Sequence, residues 1–191
     1  MSSAAIARMP LERDHLPRIA GLEIVPVQPR EIINLRGQAD DPVFIDAVLT
    51  ATGAALPGTP NTCAAGAGTT VLWAGPDEWL VVVDPDGPED RVAALRDALG
   101  TTRSAVTSMG AGYAVLELVG DATRDVLSRG TPLDLHADVF GPGQCAQTRL
   151  GHATVMLWQT DASPTYRLMI RRSMAGYLRD WLTAVAVRMD G

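Results

Sequence analysis

The sequence predicts an α+β fold made twice from one unit, strand–strand–helix–strands–helix, with an antiparallel sheet on one layer and helices covering it. Three observations carry this expectation. The order of predicted elements repeats between residues 22–100 and 104–187. Landmarks recur in both stretches: Gly37 and Gly120 each end a strand before a helix, and Cys63 and Cys145 each follow a turn-rich loop. Aromatic residues recur too, with Trp73 and Trp158 at strand ends and Trp79 and Tyr166 opening the next strands.

In the first half, "LEIVPV" (22–27) and "EIINLR" (31–36) read as a hairpin of strands. A helix over 40–53 follows, with Asp40 or Asp41 as its cap, Pro42 in its first turn and Gly53 closing it. Phe44, Val48 and Ala51 then share one face. A loop with Pro57, Gly58 and Pro60 leads to strands at 69–74 and 78–84. "RVAALRDAL" (91–99) is a helix with Val92, Leu95 and Leu99 aligned, stopped by Gly100.

The second half repeats the series. Strands at 104–108 and 113–119 precede a short helix at 121–130, capped by Asp121 and closed by Gly130. After a loop with Pro132, Pro142 and Gly143 come strands at 145–150, 153–159 and 165–170. The last helix, 174–186, carries Met174, Tyr177, Leu178, Trp181, Leu182 and Val185 at helical spacing, with Ser173 as the expected N-cap. Residues 1–20, with Pro10, Pro17 and mixed charge, read as an extended arm ahead of one domain at 21–191.

Bulk composition narrows the function classes. At 191 residues and 47% apolar content, the chain can bury a sizeable core. Its net charge of −6, with acids scattered along the chain, argues against a nucleic-acid partner. All sixteen cationic residues are arginine, which codon bias explains and which an interface would also favour. The apolar runs are strand-sized, so no membrane-spanning helix is expected. The N-terminus lacks the basic start and apolar core of a signal peptide, so two reduced, packed cysteines in the cytoplasm are the expected state.

No stretch carries a catalytic signature. "GPDEWLVVV" (75–83) sets Asp77 and Glu78 beside Trp79, and acid–base chemistry is one reading. However, Pro76 occupies the second position of a four-residue turn, where its fixed φ fits, so the hairpin-tip reading is preferred. Trp79 is then a core residue or a partner anchor. His15, His136 and His152 are dispersed and form no local triad or metal motif. "GAGTT" (66–70) and "MGAGY" (109–113) fit neither phosphate-binding pattern.

Several longer strings are more specific. "INLRG" (33–37), "PNT" (60–62), "LWAGPDEWLVV" (72–82), "RGTPLDLHADVFGPGQCAQT" (129–148) and "RRSMAGYL" (171–178) together resemble the gamma subunit of heterotetrameric sarcosine oxidase, over about 22–186 and in the same order. The resemblance implies a fold like the folate-binding domain of the glycine-cleavage T-protein, itself a duplicated α+β unit. It implies alpha, beta and delta subunits as partners. The complex would demethylate sarcosine oxidatively to glycine, yielding formaldehyde or 5,10-methylenetetrahydrofolate and hydrogen peroxide. FAD, FMN, NAD, tetrahydrofolate and zinc would sit on the other subunits.

T-proteins work on the folate-bound carbon with an acidic residue, and the similar region here, 145–159, contains no Asp or Glu. The expectation is therefore a non-catalytic structural subunit with no catalytic, cofactor or metal residues of its own. Trp73, Trp79, Trp158, Arg171 and Arg172 are its candidate partner contacts. The alternatives are a gamma subunit of a sister N-methyl amine oxidase complex and a stand-alone folate-dependent one-carbon transferase.

Overall fold

A computed structural model describes residues 11–189. Its strands are β1 (Glu23–Val27), β2 (Glu31–Arg36), β3 (Cys63–Gly66), β4 (Thr69–Gly75), β5 (Glu78–Val83), β6 (Ala105–Ser108), β7 (Tyr113–Val119), β8 (Cys145–Leu150), β9 (Ala153–Asp161) and β10 (Thr165–Arg171). Its helices are α1 (Pro42–Thr52), α2 (Arg91–Leu99), α3 (Thr123–Ser128) and α4 (Ala175–Met189).

The strands form two five-stranded antiparallel sheets, ordered β3-β4-β5-β2-β6 and β8-β9-β10-β7-β1. The orders correspond element for element between the two halves, with one exchange. The first strand of each half lies at the edge of the other half's sheet. The expected β1–β2 hairpin therefore does not form: β1 pairs with β7, while β2 pairs with β5 and β6. Proline explains why β1 sits at an edge. Pro26 pairs with Leu116 but has no N–H for a further neighbour.

The single layer of sheet is likewise corrected to two sheets face to face, with helices outside. Side chains alternate along each strand, so one strand serves two cores. On β5, Trp79 and Val81 face α1 and α2, joining Ile33, Leu35, Phe44, Val48 and Leu95. Leu80 and Val82 face the other sheet, meeting Ile32, Leu72, Val115, Met156, Trp158 and Met169. The second sheet's outer face, with Leu116, Leu118, Leu157 and Leu168, packs on α3 and α4 through Val126, Leu127, Leu178 and Leu182. Burial on both faces is why "EWLVVV" and "ATVMLW" are continuous apolar runs.

Local chemistry sets the helix ends where its signals are strong. The Asp41 carboxylate accepts from the Val43 N–H at 2.9 Å, Pro42 opens α1, and the Gly53 N–H reaches the Leu49 carbonyl. At α3 the expected cap fails: the helix begins at Thr123 after Ala122, with no side-chain cap from Asp121. At α4, Ser173 lies inside a 3-10 turn, Arg172–Met174, and the α-helix starts one residue later than expected. β3 was not foreseen, because "CAAG" carries too little apolar bulk to read as a strand.

Gly37 and Gly120 are equivalent in register, and each permits a close approach. A Cβ on Gly37 would run into the Phe44 ring, and one on Gly120, at φ 125°, would run into the Gly21 carbonyl. Trp79 and Tyr166 also correspond, since each faces the helices of its own half. The match of Trp73 with Trp158 is off by one residue. Trp73 packs toward the helices and Trp158 between the sheets, as a one-residue slip requires.

The expected N-terminal arm is corrected over its described part. Leu11 and Ile19 are buried in the core of the second sheet, and Ile19 bridges Leu22. Residues 1–10 lie outside the described residues.

The layer between the sheets is capped at one end by ions. Arg167 donates to Asp84 at 2.6 Å across the sheets and to Glu117 at 2.8 Å beside it. Burial disfavours the Arg167 charge, but the two carboxylates more than offset this and raise its pKa. Arg167→Met would leave two carboxylates facing each other and is expected to destabilise the chain by about 1–3 kcal/mol. Urea unfolding would read this as a lower midpoint; an unchanged midpoint would show that the triad holds nothing.

Candidate functional site

At the opposite end of the inter-sheet layer the packing opens into a cleft of about 360 Å³. Period-two alternation builds it. Ile32, Asn34 and Arg36 point the same way from β2, and the apolar interior gives way to polar groups at the strand's end. Asn34 and Glu78 line one wall. Tyr113, Gln147, Met156 and Arg171 line the other.

Glu78 is the one acidic residue among those lining the cleft, and neither of its oxygens is free. Oε1 accepts from Asn34 Nδ2 at 2.6 Å, and Oε2 accepts from Arg36 Nη2 at 2.7 Å. Arg36, directly cross-strand from Glu78, also reaches Asp77 at 3.5 Å. Glu78 is therefore a fixed, ion-paired acceptor with both oxygens engaged. On the facing wall, the Arg171 guanidinium lies over the Tyr113 ring, 5.0 Å from its centroid. Gln147 Nε2 donates to the Ala74 carbonyl at 3.2 Å, tying the two sheets together. Strand β9 offers Thr154 and Met156 to the cleft, not a carboxylate. The carboxylate to which the resemblance ties folate one-carbon chemistry has no counterpart in residues 145–159.

"GPDEW" is a hairpin tip, with Gly75 paired to Glu78 and a bulge before it. Its acids are not merely solvated, however. The Glu78 side chain is 29% exposed and held by β2, a contact that the local sequence did not reveal. Its signal was Arg36 at the end of a strand whose alternate residues face inward.

The expected partner contacts divide on burial. Trp79 is 0% exposed, its Nε1 donating to the Pro57 carbonyl at 2.8 Å and its ring 5.5 Å from Phe44. Trp158 is 1% exposed between the sheets. Neither has surface to give a partner, because an indole at these positions fills a strand's inward face. Trp73 is half-buried, Arg171 exposed and Arg172 half-buried. The three histidines stay apart on the surface: His15 lies near Glu12, His136 near Asp138, and His152 beside Tyr177. Among the described residues, no group of three or more His, Cys, Asp or Glu could hold a metal ion.

The family model described as "Sarcosine oxidase, gamma subunit family" matches residues 36–188. The sarcosine oxidase subunit gamma of Corynebacterium sp. (strain P-1) is 34% identical over 188 residues, covering 95% of this chain and 91% of that one. The chain belongs to the sarcosine oxidase gamma subunit family. The heterotetrameric sarcosine oxidase from Corynebacterium sp. U-96, solved in complex with pyrrole 2-carboxylate, superposes with a TM-score of 0.83 at 28% identity, over 94% of this chain and 91% of that one. The glycine cleavage system aminomethyltransferase T from Bartonella henselae shares the fold, with a TM-score of 0.62 at 12% identity, over 89% of this chain and 47% of that one. The duplicated α+β architecture is thus common to the gamma family and a T-protein. No described helix of this gamma-family chain is long and apolar enough to cross a membrane.

Burial makes the tryptophans separable by experiment. Trp79→Phe removes a buried hydrogen bond and part of a ring, and is expected to cost about 1–3 kcal/mol. Trp73→Phe, at a half-buried site, is expected to cost less than about 1 kcal/mol. Thermal unfolding of the two variants side by side checks the ranking, and equal losses would contradict the packing described.

Proposed function

We propose that this chain is a non-catalytic structural subunit of a heterotetrameric sarcosine oxidase, assembled with alpha, beta and delta subunits in the cytoplasm. The complex demethylates sarcosine oxidatively to glycine. It gives formaldehyde or 5,10-methylenetetrahydrofolate, and hydrogen peroxide from oxygen. FAD, FMN, NAD, tetrahydrofolate and zinc belong to the other subunits in this reading.

Two facts support it. Likeness to gamma subunits runs over nearly the whole chain in both sequence and fold. The observation that carries the non-catalytic part is the engagement of both Glu78 oxygens, which ties up the one carboxylate lining the cleft. Trp73, Arg171 and Arg172 remain the proposed partner contacts, with Arg171 the most exposed of them. Arginine suits such a role, because its planar fork pairs with carboxylates and stacks on rings.

Co-expression with the neighbouring large subunits tests assembly: the chain is expected to co-purify with a flavoprotein, and failure to do so overturns the reading. Within the assembled complex, Glu78→Gln is expected to change sarcosine turnover less than about twofold, whereas removing a catalytic acid or base costs about 10²–10⁴-fold. Arg171→Glu is expected to weaken co-purification while leaving the turnover of whatever complex forms unchanged. A variant complex that assembles fully but turns over slowly would instead assign chemistry to the cleft.

A further inference from the structure

The two cysteines lie where the halves of the chain meet at one side of the sandwich. β3 and β8 are the edge strands of their sheets on that side. An isolated antiparallel bridge, Thr62 to Gln144, joins them. Two backbone hydrogen bonds flank it almost symmetrically: Cys63 N–H to the Gly143 carbonyl at 2.8 Å, and Cys145 N–H to the Asn61 carbonyl at 2.9 Å. Cys63 and Cys145 are thus equivalent residues related by the internal duplication, and both contribute to the core between the sheets. The Cys145 sulfur also lies 3.1 Å from the Thr62 carbonyl, the peptide that leads into Cys63. Both thiols are free.

We infer that Cys63 and Cys145 form a peroxide-reactive dithiol, which closes into a disulfide between the edges of the two sheets.

Their environments divide the labour. Cys63 is half-buried and so reachable, while Cys145 is fully buried beside it. The neighbouring Cys145 thiol lowers the Cys63 thiol below its ordinary value, against burial, which raises it. The same contact, with burial, pushes the Cys145 thiol up. Cys63, the reachable sulfur, is therefore the one that meets oxidant, and Cys145 is the resolving thiol. In the first step the Cys63 sulfur attacks one oxygen of a hydroperoxide. The O–O bond breaks, Cys63 becomes a sulfenic acid, and the second oxygen leaves as water or an alcohol. In the second step the Cys145 sulfur attacks the Cys63 sulfur, and the sulfenic oxygen leaves as water with the Cys145 proton. The two sulfurs supply both electrons, and the hydroperoxide accepts them.

Trp158 stands directly across β9 from Cys145 and is buried with it. It helps to bury Cys145, so oxidant reaches the pair from the Cys63 side.

The inference does not depend on which complex the chain joins, so the test is run on the purified complex, or on whatever assembly the full chain forms. Hydrogen peroxide is added at a few equivalents to reduced protein, removed with catalase, and the sample is then denatured in excess alkylating reagent. The expected result is a gamma-type chain lighter by two hydrogens, with no alkylated cysteine and a peptide pair linking 63 to 145. Reduction should restore two alkylation sites. In Cys145→Ala, Cys63 is expected to gain one or two oxygens and form no internal link. Two alkylated cysteines after peroxide would overturn the inference. So would single-site oxygen adducts in the unaltered chain, or a mixed disulfide to another subunit.

Discussion

Each half of this chain lacks one edge of its own sheet, and the other half supplies it. β1 completes the second sheet against β7, and β6 completes the first against β2. Everything between the sheets follows from that exchange. The two crossings hold the sheets face to face, so Leu80, Val82, Met156 and Met169 can close a shared dry layer. Without it, each half would be a four-stranded sheet with one helix-covered face and one bare apolar face. Each half covers one face with its own helices but shares the inter-sheet core with the other, so neither is a domain on its own.

That layer is graded along its length. One end is fastened by the Arg167 triad, the middle is apolar, and the other end opens into the polar cleft. The cleft carries groups that look catalytic in isolation: a carboxylate, two amides, an arginine and a tyrosine. Each is engaged with a neighbour, by hydrogen bond, ion pair or ring contact. Residues that look catalytic by type can therefore serve as wall contacts, and the fold alone does not decide between the two.

What could be read from the sequence depended on distance along the chain. α1 was legible because Asp41, Pro42 and Gly53 are local signals, and β7 because "YAVLELV" is a bounded apolar run. The duplication was legible because element order survives divergence. The exchange of first strands was not. Nothing in "LEIVPV" names a partner some ninety residues away, although Pro26 marked it as an edge. Trp79 and Trp158 stand among the candidate partner contacts because aromatic residues suit cores and interfaces equally. Deciding between them required the register, and a slip of one residue had already misaligned Trp73. Both Glu78 contacts come from β2, which in the sequence lies on the far side of α1.

The exchange also sets a timetable for biosynthesis. β1 leaves the ribosome early, but its pairing partner β7 ends at Val119. At about 5–20 residues per second, β1 waits roughly 5–20 s for the strand it pairs with. During that interval its hydrogen-bonding edge is open to other nascent chains. A proline in the middle of the strand, at position 26, interrupts that edge. The residue that keeps β1 at the margin of the finished sheet thus also guards it before the sheet exists.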